Sequence, residues 1–184
     1  MIHPMRQDAS QPIILVADVG GTNLSLALLV RRPGGFGVLW RDRGRTQGES
    51  SLLQPAKRFL EDCARNGLCG KPDAVCVSGA GTVKGRTISL TNAGWEIDGT
   101  ALEAELGVPV RVIHDFAAIS RGVLMLSPED AAQLTAVPHP DGHRPAPDPE
   151  GTVLVVGAGT GLGVGFITRR GGSPQVFTSE GGHI

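Results

Sequence analysis

Two apolar segments, each interrupted by glycines, most constrain what this chain can fold into. The first runs from Ile13 to Val30 and is broken between Gly20 and Asn23; the second, 153–167, has glycines at alternate positions. Short runs rich in Ile, Val and Leu predict buried strands, and glycine-rich breaks predict tight turns between them. We therefore expect two β-hairpins, each bending at a glycine turn.

The first turn has the composition of a phosphate site. Gly20 and Gly21 lack side chains and allow positive φ, so successive backbone N–H groups can point at one oxyanion. Thr22 and Asn23 add side-chain donors, and Asp18 can hold a hydrated divalent cation beside the anion. An ordinary hairpin turn favours the same residues, so this segment alone leaves both interpretations open. The second hairpin favours binding, because two such turns could enclose one polyphosphate.

The glycine content supports close approach of a ligand. Glycine accounts for 27 of the 184 residues, against an average share of about 7%. Because the excess is concentrated in the two turns and near the C-terminus, it indicates backbone close to a ligand rather than disorder. Two common nucleotide motifs are absent: no Gly-x-Gly-x-x-Gly pattern occurs in 157–166, and Gly70-Lys71 precedes proline rather than Ser or Thr.

Charge and cysteine content exclude several classes of partner. The formal net charge of −1 gives no electrostatic attraction to nucleic acid or to a membrane, so neither is expected. Cys63, Cys69 and Cys76 lack the spacing of a zinc site or a disulfide framework. The first twelve residues contain no apolar leader, and no run is long enough to cross a bilayer. These features favour the reducing cytoplasm.

The segments between the hairpins alternate between strand and helix patterns, which predicts an α/β fold. A third antiparallel strand is expected at 36–40, following strands 13–19 and 24–31. Capping-box spacings predict helices from Ser51 to Gly67 and from Thr100 to Gly107. Further strands are expected at 74–78, 87–90 and 110–113, then a helix, a short helix capped at Ser127, and a proline-rich surface excursion over 138–149.

Asp115 is the strongest candidate for a chemical group. It lies where an apolar strand ends and a helix begins, the edge of an α/β sheet at which ligands are usually bound. Its carboxylate could cap the helix, a role for which Asp is favoured, or it could accept a proton from a substrate hydroxyl. Glu180 and His183 flank a Gly-Gly pair and could together bind vicinal hydroxyls of a sugar. An ordinary polar turn remains the alternative, and a metal site lacks a third ligand.

Five motifs, in order along the chain, resemble those of the bacterial glucokinases, in the superfamily of sugar kinases, actin and heat-shock ATPases. They are Ala17–Asn23, Thr91–Trp95, His114–Phe116, Gly157–Gly163 and Glu180–His183. The resemblance implies a ribonuclease-H-like (actin-like ATPase) α/β fold: a mixed sheet with helices, and a ligand cleft between two lobes. Residues 12–125 would form the N-terminal small lobe, and 126–184 would begin the larger C-terminal lobe and leave it incomplete.

The resemblance also assigns roles to residues. Asp115 becomes the general base on the sugar 6-hydroxyl, and the implied sugar contacts are Asn92, His114, Gly159, Glu180 and His183. The implied phosphate contacts are Asp18, Val19, Gly20, Gly21, Thr22 and Asn23 in the first turn and Gly159, Thr160 and Gly161 in the second. Mg²⁺ would be held mainly by the nucleotide, and by Asp18 through water.

The implied reaction is transfer of the γ-phosphoryl group of ATP to glucose, giving glucose 6-phosphate. Family members usually carry Asn where this chain has His114, which leaves the preferred hexose open. The family continues well beyond Glu180–His183, so we expect an inactive partial chain that self-associates through uncovered apolar sheet, and a homo-oligomeric, dimeric protein. The alternatives are a repressor-related sugar kinase with another hexose and a non-catalytic sugar-binding fragment.

Overall fold

The structure is a computed structural model that describes residues 11–184, apart from Asn92, Ala131, Pro145, Pro147, Pro149 and the segments 128–129, 159–161 and 180–184. The described residues form an α/β fold, as predicted. In chain order the elements are β1 (Ile13–Val19), β2 (Asn23–Arg32), β3 (Gly35–Arg45), α1 (Leu53–Arg65), β4 (Ala74–Gly79), β5 (Gly81–Lys84), β6 (Thr87–Leu90), β7 (Glu96–Asp98), α2 (Gly99–Leu106), β8 (Val110–His114), α3 (Asp115–Val123), β9 (Val153–Ala158), β10 (Leu162–Arg170) and β11 (Ser173–Ser179). Within the described ranges, no helix is both long enough and apolar enough to cross a bilayer.

The chain divides into two compact units, and the division falls between Asp115 and Phe116. The first unit contains β1–β8 with α1 and α2, and the second contains the rest of α3 with β9–β11. The lobes expected from the resemblance, 12–125 and 126–184, remain a prediction.

A five-stranded mixed sheet forms the centre of the first unit, in the order β3-β2-β1-β4-β8. The first three strands form the predicted antiparallel meander, and β4 and β8 run parallel to β1. Because parallel strands point the same way, the C-terminal ends of β1, β4 and β8 meet at one edge. This edge receives the first glycine turn and Asp115.

The core lies on one face of this sheet. Alternate residues of β1 and β2 point to it, as the period of two in a half-buried strand requires; these are Leu15, Ala17, Val19, Leu24, Leu26, Leu28 and Val30. They cluster with the apolar stripe of α1, which comprises Ala56, Phe59, Leu60 and Cys63. Each buried leucine or phenylalanine contributes about 1.5–3 kcal/mol, so this face stabilises the unit substantially.

Both predicted capping boxes are wrong. Helix α1 begins at Leu53, and its N-cap residue, Leu52, makes no side-chain capping hydrogen bond. The N-cap of helix α2 lies two residues before the predicted one: Asp98 Oδ1 accepts hydrogen bonds from the N–H groups of Thr100 (2.8 Å) and Ala101 (3.1 Å). Asp98 is a favoured N-cap residue but has Ala101, not Glu or Gln, three residues later, so the spacing rule selected Thr100 instead. The predicted end of α2 is confirmed, since Gly107 adopts the left-handed conformation with φ 65°.

One strand is longer than predicted, and two others were not predicted. Strand β3 continues to Arg45 because it pairs with β2 along its length, with an irregularity at Leu28/Leu29. A separate small sheet, β5-β6-β7, contains two strands that local sequence did not indicate. The short helix expected after Ser127 falls partly on 128–129 and Ala131, outside the described residues. The described residues of 138–149 are exposed and form neither helix nor strand, as expected.

Candidate active site

The C-terminal edge of β1, β4 and β8 carries four polar side chains, those of Asp18, Ser78, His114 and Asp115. Register pairs Asp18 of β1 with Ser78 of β4, and it pairs Gly79 of β4 with His114 of β8, which Asp115 follows. Neighbouring strands lie about 4.8 Å apart, so the turn after β1 and the end of β8 are separated by roughly 10 Å. The edge therefore brings the first glycine turn and Asp115 within reach of one small ligand.

Hydrogen bonds hold the first glycine turn in one shape. The Gly20 N–H donates to the Asn23 carbonyl at 2.9 Å and closes the turn. Thr46, which is 1% exposed, donates its hydroxyl to the Gly20 carbonyl at 2.7 Å and its N–H to the Thr22 carbonyl at 3.0 Å. Thr46 thus turns two carbonyls of the turn toward the protein, which favours outward-facing N–H groups. The sequence did not indicate Thr46, because its role depends on β3 reaching the turn.

The expected positive φ is wrong for this turn. Neither Gly20 nor Gly21 adopts a left-handed conformation. A Cβ at Gly20 would meet only the Asn23 carbonyl oxygen, at the ordinary distance of 3.4 Å. Unusual dihedral angles therefore do not require glycine at either position of this turn.

Asp18 is exposed and oriented by a neighbouring strand. Its Oδ1 accepts a hydrogen bond from Ser78 Oγ at 2.9 Å, and the same hydroxyl lies 3.3 Å from the Ala17 carbonyl oxygen. Among the described residues no group of three or more metal-ligating side chains occurs. One oriented carboxylate fits a hydrated Mg²⁺ that takes its other ligands from a nucleotide and from water, because Mg²⁺ usually keeps several waters. Ser78 is a second residue that the sequence did not indicate.

Asp115 and His114 form the second half of this edge. His114 Nδ1 lies 3.0 Å from Asp115 Oδ1, and the two side chains are 13% and 24% exposed. Helix α3 begins at Asp115, so its dipole favours the negative charge of the carboxylate. A partly exposed carboxylate at a sheet edge can reach a bound hydroxyl; a carboxylate in the apolar interior could not.

The other predicted site residues lie outside the described residues. They are Asn92, Gly159, Thr160, Gly161, Glu180 and His183. The neighbour of Asn92 is nevertheless anchored at the same edge, because the Thr91 N–H donates to the Ala80 carbonyl at 3.1 Å, just beyond β4. Their roles as sugar and phosphate contacts stay predictions.

The glycines beside the second turn serve helix packing, which corrects part of the sequence interpretation. In the second unit the ring of Phe116 lies over the β9–β10 hairpin. A Cβ at Gly157 would lie 2.7 Å from Phe116 Cζ, and one at Gly163 would overlap the same ring. A Cβ at Gly165 would likewise crowd the hydroxyl of the buried Ser120. Helix α3, rather than a ligand, fills the space that these three glycines leave.

The fold, with its polar edge at β1, β4 and β8, identifies the structural class of the chain. Over 94% of its length, the chain superimposes on the crystal structure of a glucokinase from an Antarctic psychrotroph, with a TM-score of 0.76, 29% identity and 51% of that chain covered. The glucokinase of Balamuthia mandrillaris, solved in complex with glucose, shares the fold with a TM-score of 0.69 at 21% identity, covering 95% of this chain and 49% of that one. The chain therefore has the actin-like ATPase fold.

Sequence comparison identifies the family. The family model described as Glucokinase matches residues 15–184, and a glucokinase from a Nostoc species is 32% identical over 173 residues, which is 93% of this chain and 47% of the relative. The chain belongs to the glucokinase family. It spans about half the length of the curated relatives it matches.

Proposed function

We propose that this chain belongs to an ATP-dependent hexose kinase that phosphorylates the 6-hydroxyl of glucose. The observation that carries the proposal is the shared sheet edge: Asp18 pairs with Ser78, Gly79 pairs with His114, and Asp115 follows directly. A phosphate-binding turn and a carboxylate about two strand spacings apart suit a nucleotide triphosphate and an alcohol that react with each other. Because the chain spans about half the length of its relatives, the activity is proposed for the whole protein.

In the proposed reaction, Asp115 accepts the proton of the sugar 6-hydroxyl as the hydroxyl oxygen bonds to the γ-phosphorus. The bond between that phosphorus and the bridging oxygen breaks, and ADP leaves with the electron pair. The protein contributes mainly position and charge stabilisation, as phosphoryl transfer requires. The Gly20 N–H closes the turn, so the other N–H groups of the Gly20–Asn23 turn would bind phosphate oxygens, and Thr46 keeps the turn in the shape that exposes them.

Metal and sugar contacts complete the proposal. Bound Mg²⁺ would neutralise phosphate charge, and Asp18 would hold it through water while Ser78 orients the carboxylate. The proposed sugar contacts are Asn92, His114, Gly159, Glu180 and His183, with Gly159, Thr160 and Gly161 as the second phosphate turn. Glucose is favoured because a glucokinase of the same fold was solved with glucose bound. A His at position 114 in place of the usual Asn makes hexose preference the property to measure first.

Two further features belong to the proposal. Among the described residues, neither Cys63 nor Cys69 forms a disulfide, which fits a reducing cytoplasm. The proposal includes a homo-oligomeric, dimeric whole protein. Apolar side chains lie exposed on the sheet of the second unit, which supports self-association of this 184-residue chain.

A coupled assay of the protein from its complete reading frame, with MgATP and a panel of hexoses, tests the function. We expect glucose to be phosphorylated with the highest kcat/KM. Failure to phosphorylate any hexose, with binding of MgATP and of glucose both absent by calorimetry, would overturn the proposal.

A further inference from the structure

Three arginines lie on one face of the edge strand β3, next to the first glycine turn. Register pairs Arg45 with Asn23, Arg43 with Ser25 and Arg41 with Ala27. Directly opposed residues in an antiparallel pair have Cα atoms about 4.5–5.5 Å apart, so Arg45 lies beside the last residue of the turn. The three arginines form a row that begins at the turn and leads away from it.

The row faces the same side of the sheet as Asp18. Strand β1 pairs Asp18 with Ser25, and β2 pairs Ser25 with Arg43, so these side chains share one face by the alternation of strands. Thr46, one residue after Arg45, is buried on the opposite side, which confirms the direction in which Arg45 points. Arg43 and Arg45 are exposed.

Neither guanidinium is neutralised by the protein. In the part of the chain that the structure describes, the side chains of Arg43 and Arg45 form no ion pair or hydrogen bond, and only the Arg43 backbone N–H donates to Asp42 Oδ1; Arg58 and Arg86, in contrast, pair with Glu49 and Glu103. The charge is therefore available to a ligand. Guanidinium groups bind phosphate through two parallel hydrogen bonds and remain charged at all physiological pH values.

The turn itself lacks positive charge. Residues 18–23 contain no Lys or Arg, and Asp18 adds a negative charge beside the place where phosphates would bind. A triphosphate remains anionic when it carries one Mg²⁺, so backbone N–H groups alone would bind it against the field of Asp18. A cationic group on the nearby strand β3 would offset the negative charge of Asp18 and of the phosphates.

We propose that Arg45 and Arg43 bind the phosphates of the nucleotide donor and form the cationic side of the first glycine turn. This inference rests on the proposed function, because it assigns two further residues to the same donor site. Edge strands also carry charges that prevent pairing with other chains. That role would be shared by all three arginines, whereas phosphate binding depends on distance from the turn, so Arg41 is the matched control.

Steady-state kinetics on the complete protein separates the two roles. We expect Arg45→Ala to raise the KM for MgATP about tenfold and Arg43→Ala by about threefold, with the KM for glucose and kcat within about twofold of the parent. Arg41→Ala, on the same strand and face, should leave all three within about twofold. Arg45→Lys should restore only part of the affinity, because it keeps the charge but loses the two-pronged geometry.

The salt dependence of the KM for MgATP provides a second readout, which a purely structural role of the arginines would not change. Raising KCl to about 0.5 M should raise the KM for MgATP of the parent protein, and should raise it less for the Arg43→Ala/Arg45→Ala double variant. Denaturant unfolding of each variant checks that the fold is intact.

The possible results separate a failure of the arginine inference from a failure of the proposed kinase function. Equal MgATP affinity for the Arg41, Arg43 and Arg45 alanine variants, in an active protein, would overturn the inference and leave the kinase in place. If the parent protein phosphorylates no hexose, calorimetry with MgATP decides: binding that Arg45→Ala weakens about tenfold supports the inference without the kinase, and absence of binding overturns both.

Discussion

The β9–β10 hairpin and helix α3 make a graded steric test possible. An alanine Cβ at Gly157 would lie 2.7 Å from Phe116 Cζ, against an ordinary contact of at least 3.4 Å, so the ring must move by about 0.7 Å. An alanine Cβ at Gly163 would overlap three atoms of the same ring, so a larger movement is required. Phe116 is 9% exposed and has little free space to enter.

The expected free energies follow from overpacking. Extra methyl groups in a packed core cost about 1–3 kcal/mol, so we expect Gly157→Ala to lose about 1 kcal/mol and Gly163→Ala about 3 kcal/mol or more. Neither glycine has positive φ, so the cost is steric and not conformational. Gly122→Ala in α3 is the control, since its Cβ would meet nothing within 4 Å. It should be neutral or stabilising by up to about 1 kcal/mol.

Urea unfolding of the variants measures these changes, and a double-mutant cycle identifies their cause. Phe116→Leu shortens the side chain that Gly163→Ala meets. The double variant should therefore be less destabilised than the sum of the single variants by about 1 kcal/mol or more. Gly163→Ala with the stability of the parent protein, or strictly additive effects of the two substitutions, would refute helix packing as the reason for this glycine.

Three further predictions concern the turn, the pH dependence and the exposed sheet. Thr46→Val should remove the hydroxyl that holds the turn, lower the free energy of unfolding by about 1 kcal/mol and raise the KM for MgATP; unchanged values of both would contradict its role. Hydrogen bonds from Arg86 and then from a backbone N–H lower the pKa of Glu103, so its stabilisation is present above the unfolded-state pKa and is lost as pH falls through the folded-state value. Glu103→Gln should flatten that acid limb in urea midpoints measured across pH, and an unchanged limb would exclude Glu103 as its source. Leu154 is 64% exposed on the apolar sheet face, so Leu154→Lys should reduce self-association of the 184-residue chain in light scattering, and equal scattering would exclude this face.

Local sequence patterns predicted the elements whose structure depends mainly on their own residues. Short apolar runs rich in Ile, Val and Leu predicted β1 and β2, and the Gly20-Gly21 pair between them predicted the turn. The same local information placed Asp115 at a strand end, which the structure confirms. The predicted cap of α2 was wrong because Asp98 and Thr100 are both residue types favoured at N-caps, and only Thr100 has a Glu three residues later.

The parts that escaped prediction depend on distant residues. Ser78 orients Asp18 from 60 residues away, and Thr46 holds the Gly20 carbonyl from 26 residues away. Neither partner can be identified without the order of strands in the sheet. Gly163 shows a related ambiguity, because a missing side chain in the sequence indicates close approach but not whether a ligand or a helix approaches.

The most direct test of the central claim compares chemistry with binding in Asp115→Asn. If the Asp115 carboxylate accepts the proton of the sugar hydroxyl, kcat should fall by about 10² or more while the Kd for glucose, from calorimetry, changes by less than about threefold. An unchanged kcat, with an altered free energy of unfolding alone, would show that Asp115 serves the start of helix α3 and takes no part in the reaction.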